Sequence, residues 1–249
     1  MHADERKPFR NILILIGGIL LCWELAYLVV GDVALRSPWQ TVAFLGKLME
    51  TDLFWPHFSE SMRAFAVALA IAIVLGLLIG FALALHRLSG EAMEPMLVAL
   101  YSIPKITLYP IILLAFGLGI SAKIAFGAIH GIIPVALFTL TAVRSTKPIL
   151  IKTGRVMKLS PAVMVRSILF PAAVPEIFTG IRVGFSLTLV GTVLGEMFAS
   201  QRGLGYLLMN AISLYNVDVI MSVTFLLVLM AAGVNTLLLA IDHRLHHGV

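Results

Sequence analysis

Charge is what this 249-residue sequence lacks most: Asp, Glu, Lys and Arg make up 12% of it, against about 25% in an ordinary soluble domain. That shortage excludes a water-soluble globular protein. Cysteine is almost absent as well. The one copy, Cys22, lies inside an apolar run, so a single chain builds neither a disulfide nor a cysteine metal site. Catalytic signatures are also missing. There is no G-x-x-x-x-G-K-[ST] phosphate loop, no His-Glu-x-x-His, no Gly-x-Ser-x-Gly and no ladder of calcium-binding acids. No paired catalytic constellation remains, which places a membrane enzyme last among the readings. The two halves show no obvious inverted repeat, which weakens a secondary transporter.

What is present is apolar: 60% hydrophobic residues and a mean hydropathy of +1.01. The class is a polytopic membrane protein, all-α. The net charge of +5 does not point to nucleic acid, because the basic residues sit mostly in short loops beside apolar runs, where they orient a chain in a bilayer. Arg6, Lys7 and Arg10 precede a stretch of about 20 apolar residues, longer than a signal-peptide core, and no small-x-small cleavage site follows. The stretch reads as a retained first span.

Six spans are expected, at about 11–31, 60–85, 91–116, 121–143, 176–198 and 217–241, within a single transmembrane domain. Inside flanks carry Arg6, Lys7, Arg10, Arg87, the six bases of a loop over 144–175, and Arg244. Outside flanks carry the more scattered Arg36, Lys47, Arg63, Lys123 and Arg202, so both termini are expected in the cytoplasm. Glu24 in the first span is expected to pair with a neighbouring helix. Ser37-Pro38 opens an external amphipathic helix with Trp39, Val42, Leu45 and Leu48 on one side, suited to the membrane interface. The second span is dense in alanine and glycine and should pack tightly. The third is interrupted at Pro104-Lys105 and again at Pro110. Lys105 there either faces a water-filled pathway or snorkels to the surface. His130 in the fourth span reads as a buried, hydrogen-bonded histidine. Gly180, Gly184, Gly191 and Gly195 give the fifth a small-residue face, with Glu196 near its outer end. The trailing His243, His246 and His247 read as a polar end rather than a metal site.

The loop over 144–175 holds Arg144, Lys147, Lys152, Arg155, Lys158 and Arg166 and no acid. Pro148 suits a first helical turn, and Ile149, Ile151, Val156 and Leu159 make a broken apolar stripe. Ser160-Pro161 is a second start signal, followed by apolar spacing to Phe170, with Pro171 and Pro175 closing the helix. Two short helices joined by a turn, on a basic loop, form a docking surface. The positive-inside rule alone explains the charge but not the paired helix signals.

These residues resemble a known family, the inner-membrane permease subunit of bacterial ABC importers, in the branch serving nitrate, sulfonates, taurine and bicarbonate. The resemblance is carried by Ser37-Pro38-Trp39-Gln40-Thr41-Val42; by Ser102-Ile103-Pro104-Lys105, Leu108-Tyr109-Pro110 and Phe116-Gly117-Leu118-Gly119; by Leu169-Phe170-Pro171 onward to Glu176-Ile177, and Thr179-Gly180-Ile181-Arg182; and by Gly195-Glu196-Met197 with Gly203-Leu204-Gly205-Tyr206.

The resemblance implies a type I importer-like permease that moves a small anionic solute along a path at a dimer interface. It implies a second permease copy, an ABC ATPase dimer that holds ATP and Mg, and a soluble solute-binding protein, with no cofactor in this chain. It places the chain in the inner membrane of a bacterium. Lys152, Thr153, Gly154, Arg155, Met157, Lys158, Leu159, Ser160, Pro161, Ala162 and Val163 would dock the ATPase. Ser102, Pro104, Lys105 and Glu196 would line the path. The family pattern has Glu-Ala-Ala and, four residues later, Gly, where this sequence has Lys152-Thr153-Gly154 and Lys158. Lys158 must therefore adopt the glycine's turn at a cost, or use another. The rival is a self-contained carrier or channel using Glu24, Glu196 or His130 for ions.

Overall fold

Every regular element is helical, and no strand occurs among the described residues. The computed structural model describes residues 6–198 and 200–247, with side chains described for 10–198 and 200–242. The side chains of Arg6, Lys7, His243, Arg244, His246 and His247 lie outside the described residues. Among the described residues five helices are long and apolar enough to cross a membrane, and a pair bent by 91° makes a sixth span if counted as one. The segments up to Pro56 and Leu207–Leu229 form one compact unit; His57–Tyr206 and the chain from Met230 form another.

In the first unit, α1 (Arg6–Val30) is apolar all round and buries none of its most apolar window, as a lipid-facing helix should. Trp23 turns inward: its indole N–H donates to the Arg36 carbonyl at 2.9 Å, and its ring packs against Phe225. Glu24, one residue on, is half-buried, and the expected pairing is not made among the described residues. A step of one residue rotates a helical side chain by about 100°, away from the face Trp23 uses. Next, α2 (Pro38–Met49) starts at Ser37 with a full capping box, in which Ser37 and Gln40 each satisfy the other's backbone N–H. Its buried stripe is Thr41, Leu45 and Leu48, while Trp39 and Val42 face outward. Arg36, just before it, makes a two-pronged pair with Asp218 at 2.5 and 3.1 Å. That bond raises the guanidinium's pKa still further above its ordinary value.

The second unit is organised around α6 (Ile120–Arg144), whose most apolar window is 61% buried. On one side lies α3 (Phe54–Leu85), which starts six residues before the expected span and is about 48 Å long at 1.5 Å per residue. Its small residues work as one stripe: Ala64, Ala68, Ala72, Gly76 and Gly80, spaced by four. Ala68 and Ala72 meet Gly127 and Gly131 of α6, and Gly76 and Gly80 meet Val135 and Thr139. Ala66, Ala70 and Ala82, off that stripe, are exposed. On the other side, Gly180, Gly184, Gly191 and Gly195 of α9 (Phe170–Phe198) receive Phe138, Val135, His130 and the Lys123 backbone. Lipid offers no hydrophobic drive between helices, so backbone approach through small residues supplies the packing. The buried His130 Nδ1 lies 2.8 Å from the Phe126 carbonyl, and the ring packs edge-on to Phe126, a structural histidine.

Two boundaries differ from expectation. Pro171 and Pro175 do not close a helix: the chain is helical without a break from Pro161 to Phe198. A widened turn over Val165–Leu169 lies just before Pro171, where a missing N–H and a ring clash would otherwise kink a tight helix. The third span breaks once rather than twice. It bends between α4 (Arg87–Ser102) and a tight turn over Lys105–Leu108. Pro110 then sits in the first turn of α5 (Tyr109–Phe116), where its missing N–H is harmless.

Candidate functional site

Three places hold the residues singled out by sequence: the basic hairpin, the bend of the third span, and the far end of α9. The hairpin begins with α7 (Pro148–Val156), starting on Pro148. Its C-terminus is a Schellman turn: Leu159 N–H reaches the Gly154 carbonyl at 3.1 Å and Lys158 N–H the Arg155 carbonyl at 3.0 Å. Lys158 takes the left-handed position of that turn at φ 51°, so the lysine adopts the conformation glycine would hold freely. The Ser160 hydroxyl caps the next helix, α8 (Pro161–Met164), at the Val163 N–H.

The hairpin has two faces. Inward, Ile151, Met164 and Val165 pack on Ala142, Val143, Leu169, Ala173 and Ile177. Gly154 is buried, since a Cβ there would strike the Met164 thioether. Outward, Ile149, Val156 and Met157 are 65%, 82% and 65% exposed. Lys152, Thr153, Arg155, Lys158, Ser160, Pro161, Ala162 and Val163 are exposed around them, and Leu159 is half-buried. The stripe expected from Ile149, Ile151, Val156 and Leu159 is thus divided between the faces. The outcome is a bare apolar ridge with a basic rim, fixed from beneath by a packed core.

At the bend, Ile103 takes the extended conformation required before proline (ψ 137°). Ser102 and Pro104 are exposed; the Ser102 hydroxyl donates to the Val98 carbonyl of its own helix at 3.1 Å. Lys105 is buried. Its Nζ donates to the Tyr101 carbonyl at 3.0 Å and lies 5.6 Å from the Tyr101 ring. A cation there satisfies one of the orphan carbonyls at the end of α4.

Glu196 is fully buried. It accepts from the Ser61 hydroxyl at 2.7 and 2.8 Å and from Gly205 N–H at 3.0 Å. Around it, the turn between α9 and α10 (Leu204–Ser213) is held residue by residue. Lys123, 1% exposed, donates to the Arg202 carbonyl at 2.7 Å and to Glu60 at 3.1 Å. Gly203 N–H donates to His57 Nδ1 at 3.1 Å, and Leu204 N–H to the Ser61 hydroxyl at 2.7 Å. Gly203 has φ +120° and lies so close to the Glu196 carboxylate that a Cβ would collide with it. Tyr109 adds a bond to the Gly195 carbonyl. A cavity of about 530 Å³ beside the turn is lined by Glu60, Lys123 and Arg202, among others.

Glu60, Ser61, His57 and Lys123 were not singled out from sequence as a site. The signal available was the adjacent Glu60-Ser61 at the start of a span, together with a lysine one turn into the next span but one. Arg182 pairs with the buried Asp242 at 3.7 Å, which also accepts from the Thr179 hydroxyl.

The same architecture recurs in solved structures. An inward-facing form of the MetNI methionine ABC transporter matches with a TM-score of 0.68 at 21% identity, over 78% of this chain and 96% of that one. An amino acid ABC transporter matches with a TM-score of 0.64 at 18% identity, over 81% and 98%. Among curated proteins, a probable ABC transporter permease protein of Haemophilus influenzae is 26% identical over 242 residues, 94% of each chain. The taurine transport system permease protein TauC of Escherichia coli is 27% identical over 82% of this chain and 74% of its own. The nitrate import permease protein NrtB of Synechococcus elongatus is 24% identical over 82% and 77%. The model of the binding-protein-dependent transport system inner membrane component matches residues 34–249, and the chain belongs to that family.

Proposed function

We propose that this chain is the permease subunit of an ATP-driven importer and that its hairpin is the part gripped by a separate ATPase. The observation that carries the reading is the hairpin's outer face. Ile149, Val156 and Met157 stand exposed among Lys152, Arg155 and Lys158 on a rigid base. An apolar ridge of this kind marks an interaction site, and its basic rim calls for an acid-rimmed groove. ATP and Mg belong to that partner; this chain supplies no group for hydrolysis. Binding and release of nucleotide would shift the partner between two states, and the hairpin would bias the permease accordingly.

On this reading the hairpin and both termini lie in the cytoplasm of a bacterium, and the Glu196 end faces outward. A second copy of the permease completes the path, and a soluble binding protein delivers the solute. Relatives named for taurine, aliphatic sulfonates and nitrate support a small anionic solute. The bend around Ser102, Pro104 and Lys105 is the gate, with Lys105 free to meet an anion once its bond to Tyr101 is released.

The test is co-purification. The tagged chain is expected to bring down an ATPase, and replacing both Val156 and Met157 with Asp is expected to abolish capture while leaving the permease folded. Equal capture by the variant would reject the hairpin as the grip.

A further inference from the structure

Of the six basic residues counted around the hairpin, Arg144 is the one that turns back into the fold. It is the last residue of α6, four positions before α7 begins. Its guanidinium leaves the hairpin and reaches α4, the first arm of the broken span. One nitrogen donates to the Arg87 carbonyl at 2.9 Å and another to Glu94 at 3.3 Å. The backbone at Gly90, which is buried, passes directly beneath the guanidinium, so that a Cβ there would collide with it. Three successive turns of one arm, at residues 87, 90 and 94, therefore meet a single side chain. Arg87 also pairs with Glu91 at 2.8 Å on the same first turns.

The base of the hairpin is equally well fixed. Ala142 and Val143, immediately before Arg144, belong to the core that holds Ile151, Met164 and Val165. Thr146 is buried and bonds back to the Ala142 carbonyl. Displacement of the hairpin thus displaces the last turn of α6, and Arg144 hands that displacement to α4. An arginine suits such a link because its planar, multi-donor head holds a carbonyl and a carboxylate at once, which a lysine ammonium on a flexible stem does less rigidly.

We infer that Arg144 is a positioning residue that couples the hairpin to the first arm of the broken span, so that the two move as one body. The inference rests on the docking reading of the hairpin for its role in transport, but the coupling itself is a property of this chain. It is tested by pulsed electron-spin distance measurement between labels at Leu88→Cys and Ser167→Cys, both exposed and neither on the docking ridge, in a Cys22→Ser background, with labelled chain diluted in unlabelled chain.

With Arg144 present, one narrow distance is expected, unchanged between the isolated permease and the assembly with its ATPase trapped by ATP and vanadate. Arg144→Ala is expected to broaden or shift the distribution by about 2 Å or more, the scale of helix shifts in switching transitions. It should do so already in the isolated permease, and further on trapping. Glu94→Gln, which exchanges a charged acceptor for a neutral one and so weakens one of the two anchors, is expected to give a smaller change in the same direction. An unchanged distribution in both variants would overturn the inference, as would a wild-type distance that itself changes on trapping. Failure of the ATPase to bind would overturn the docking reading instead, and the isolated-permease measurement would still decide the coupling.

Discussion

Ser61→Ala removes one oxygen from the clasp around Glu196, and its consequence can be worked out from the contacts. Ser61 is 2% exposed. Its hydroxyl donates to the carboxylate at 2.7 Å while its oxygen accepts the Leu204 N–H at 2.7 Å. The substitution changes volume little, so no cavity effect of any size enters. It does leave Leu204 N–H without its acceptor, a loss worth about 1–3 kcal/mol for a buried donor. It also removes a bond to a carboxylate, worth about 1.5–3 kcal/mol in soluble proteins. Hydrogen bonds in membrane proteins average only about 0.6 kcal/mol, with a maximum near 1.7, because the unfolded chain in the bilayer also finds partners. Two bonds at that scale set a floor near 1 kcal/mol, and the enclosed, fully partnered site argues for more. The expected destabilisation is about 2–3 kcal/mol, read from reversible unfolding in mixed micelles. Ser213→Ala serves as the control, since its exposed hydroxyl bonds only the Met209 carbonyl of its own helix. A Ser61→Ala loss below about 0.5 kcal/mol, within the range of an ordinary surface change, would refute the clasp as a source of stability.

Other substitutions probe other contacts. Lys158→Gly relieves a left-handed lysine and should stabilise the hairpin by roughly 1 kcal/mol, less the entropy glycine gains when unfolded; limited proteolysis of the 157–160 turn would show slower cleavage. Gly203→Ala places a methyl against the Glu196 carboxylate in a strained backbone and should lower yield and melting temperature more than Ser61→Ala does. Arg36→Ala breaks a half-exposed two-pronged pair and should cost about 1 kcal/mol, with the difference shrinking in high salt. Lys105→Ala should reduce ATP-linked uptake of taurine or nitrate by the reconstituted assembly; unchanged uptake of both would remove Lys105 from the path.

What the sequence revealed depended on whether a residue's role is local. Ser37-Pro38 and Ser160-Pro161 marked helix starts because capping is settled within four residues, and both caps form. The bend at Pro104 was legible for the same reason, because proline acts on its own neighbours. Pro171 and Pro175 looked alike in sequence yet interrupt nothing, since a widened turn upstream absorbs the first. The division of the hairpin's apolar residues between two faces was not legible, because it depends on Ala142, Val143 and Ile177 packing from other helices. The clasp was missed for a related reason. Ser61 and Glu196 stand 135 positions apart, Glu60 and Lys123 stand 63 apart, and the four belong to three helices that no short-range pattern links. Whether Glu24 finds a partner depends on what packs beside α1, which is not a local property, and no pair is made among the described residues.

On the docking reading, this permease moves solute only when a nucleotide-hydrolysing partner pulls on its hairpin. The direct measurement is uptake of labelled taurine and nitrate into proteoliposomes holding the purified chain with or without its ATPase and binding protein, under ATP or under a proton or sodium gradient. Uptake is expected with ATP and all partners, and none from the chain alone under either gradient. Gradient-driven uptake by the chain alone, at the rate of the full assembly, would contradict that reading.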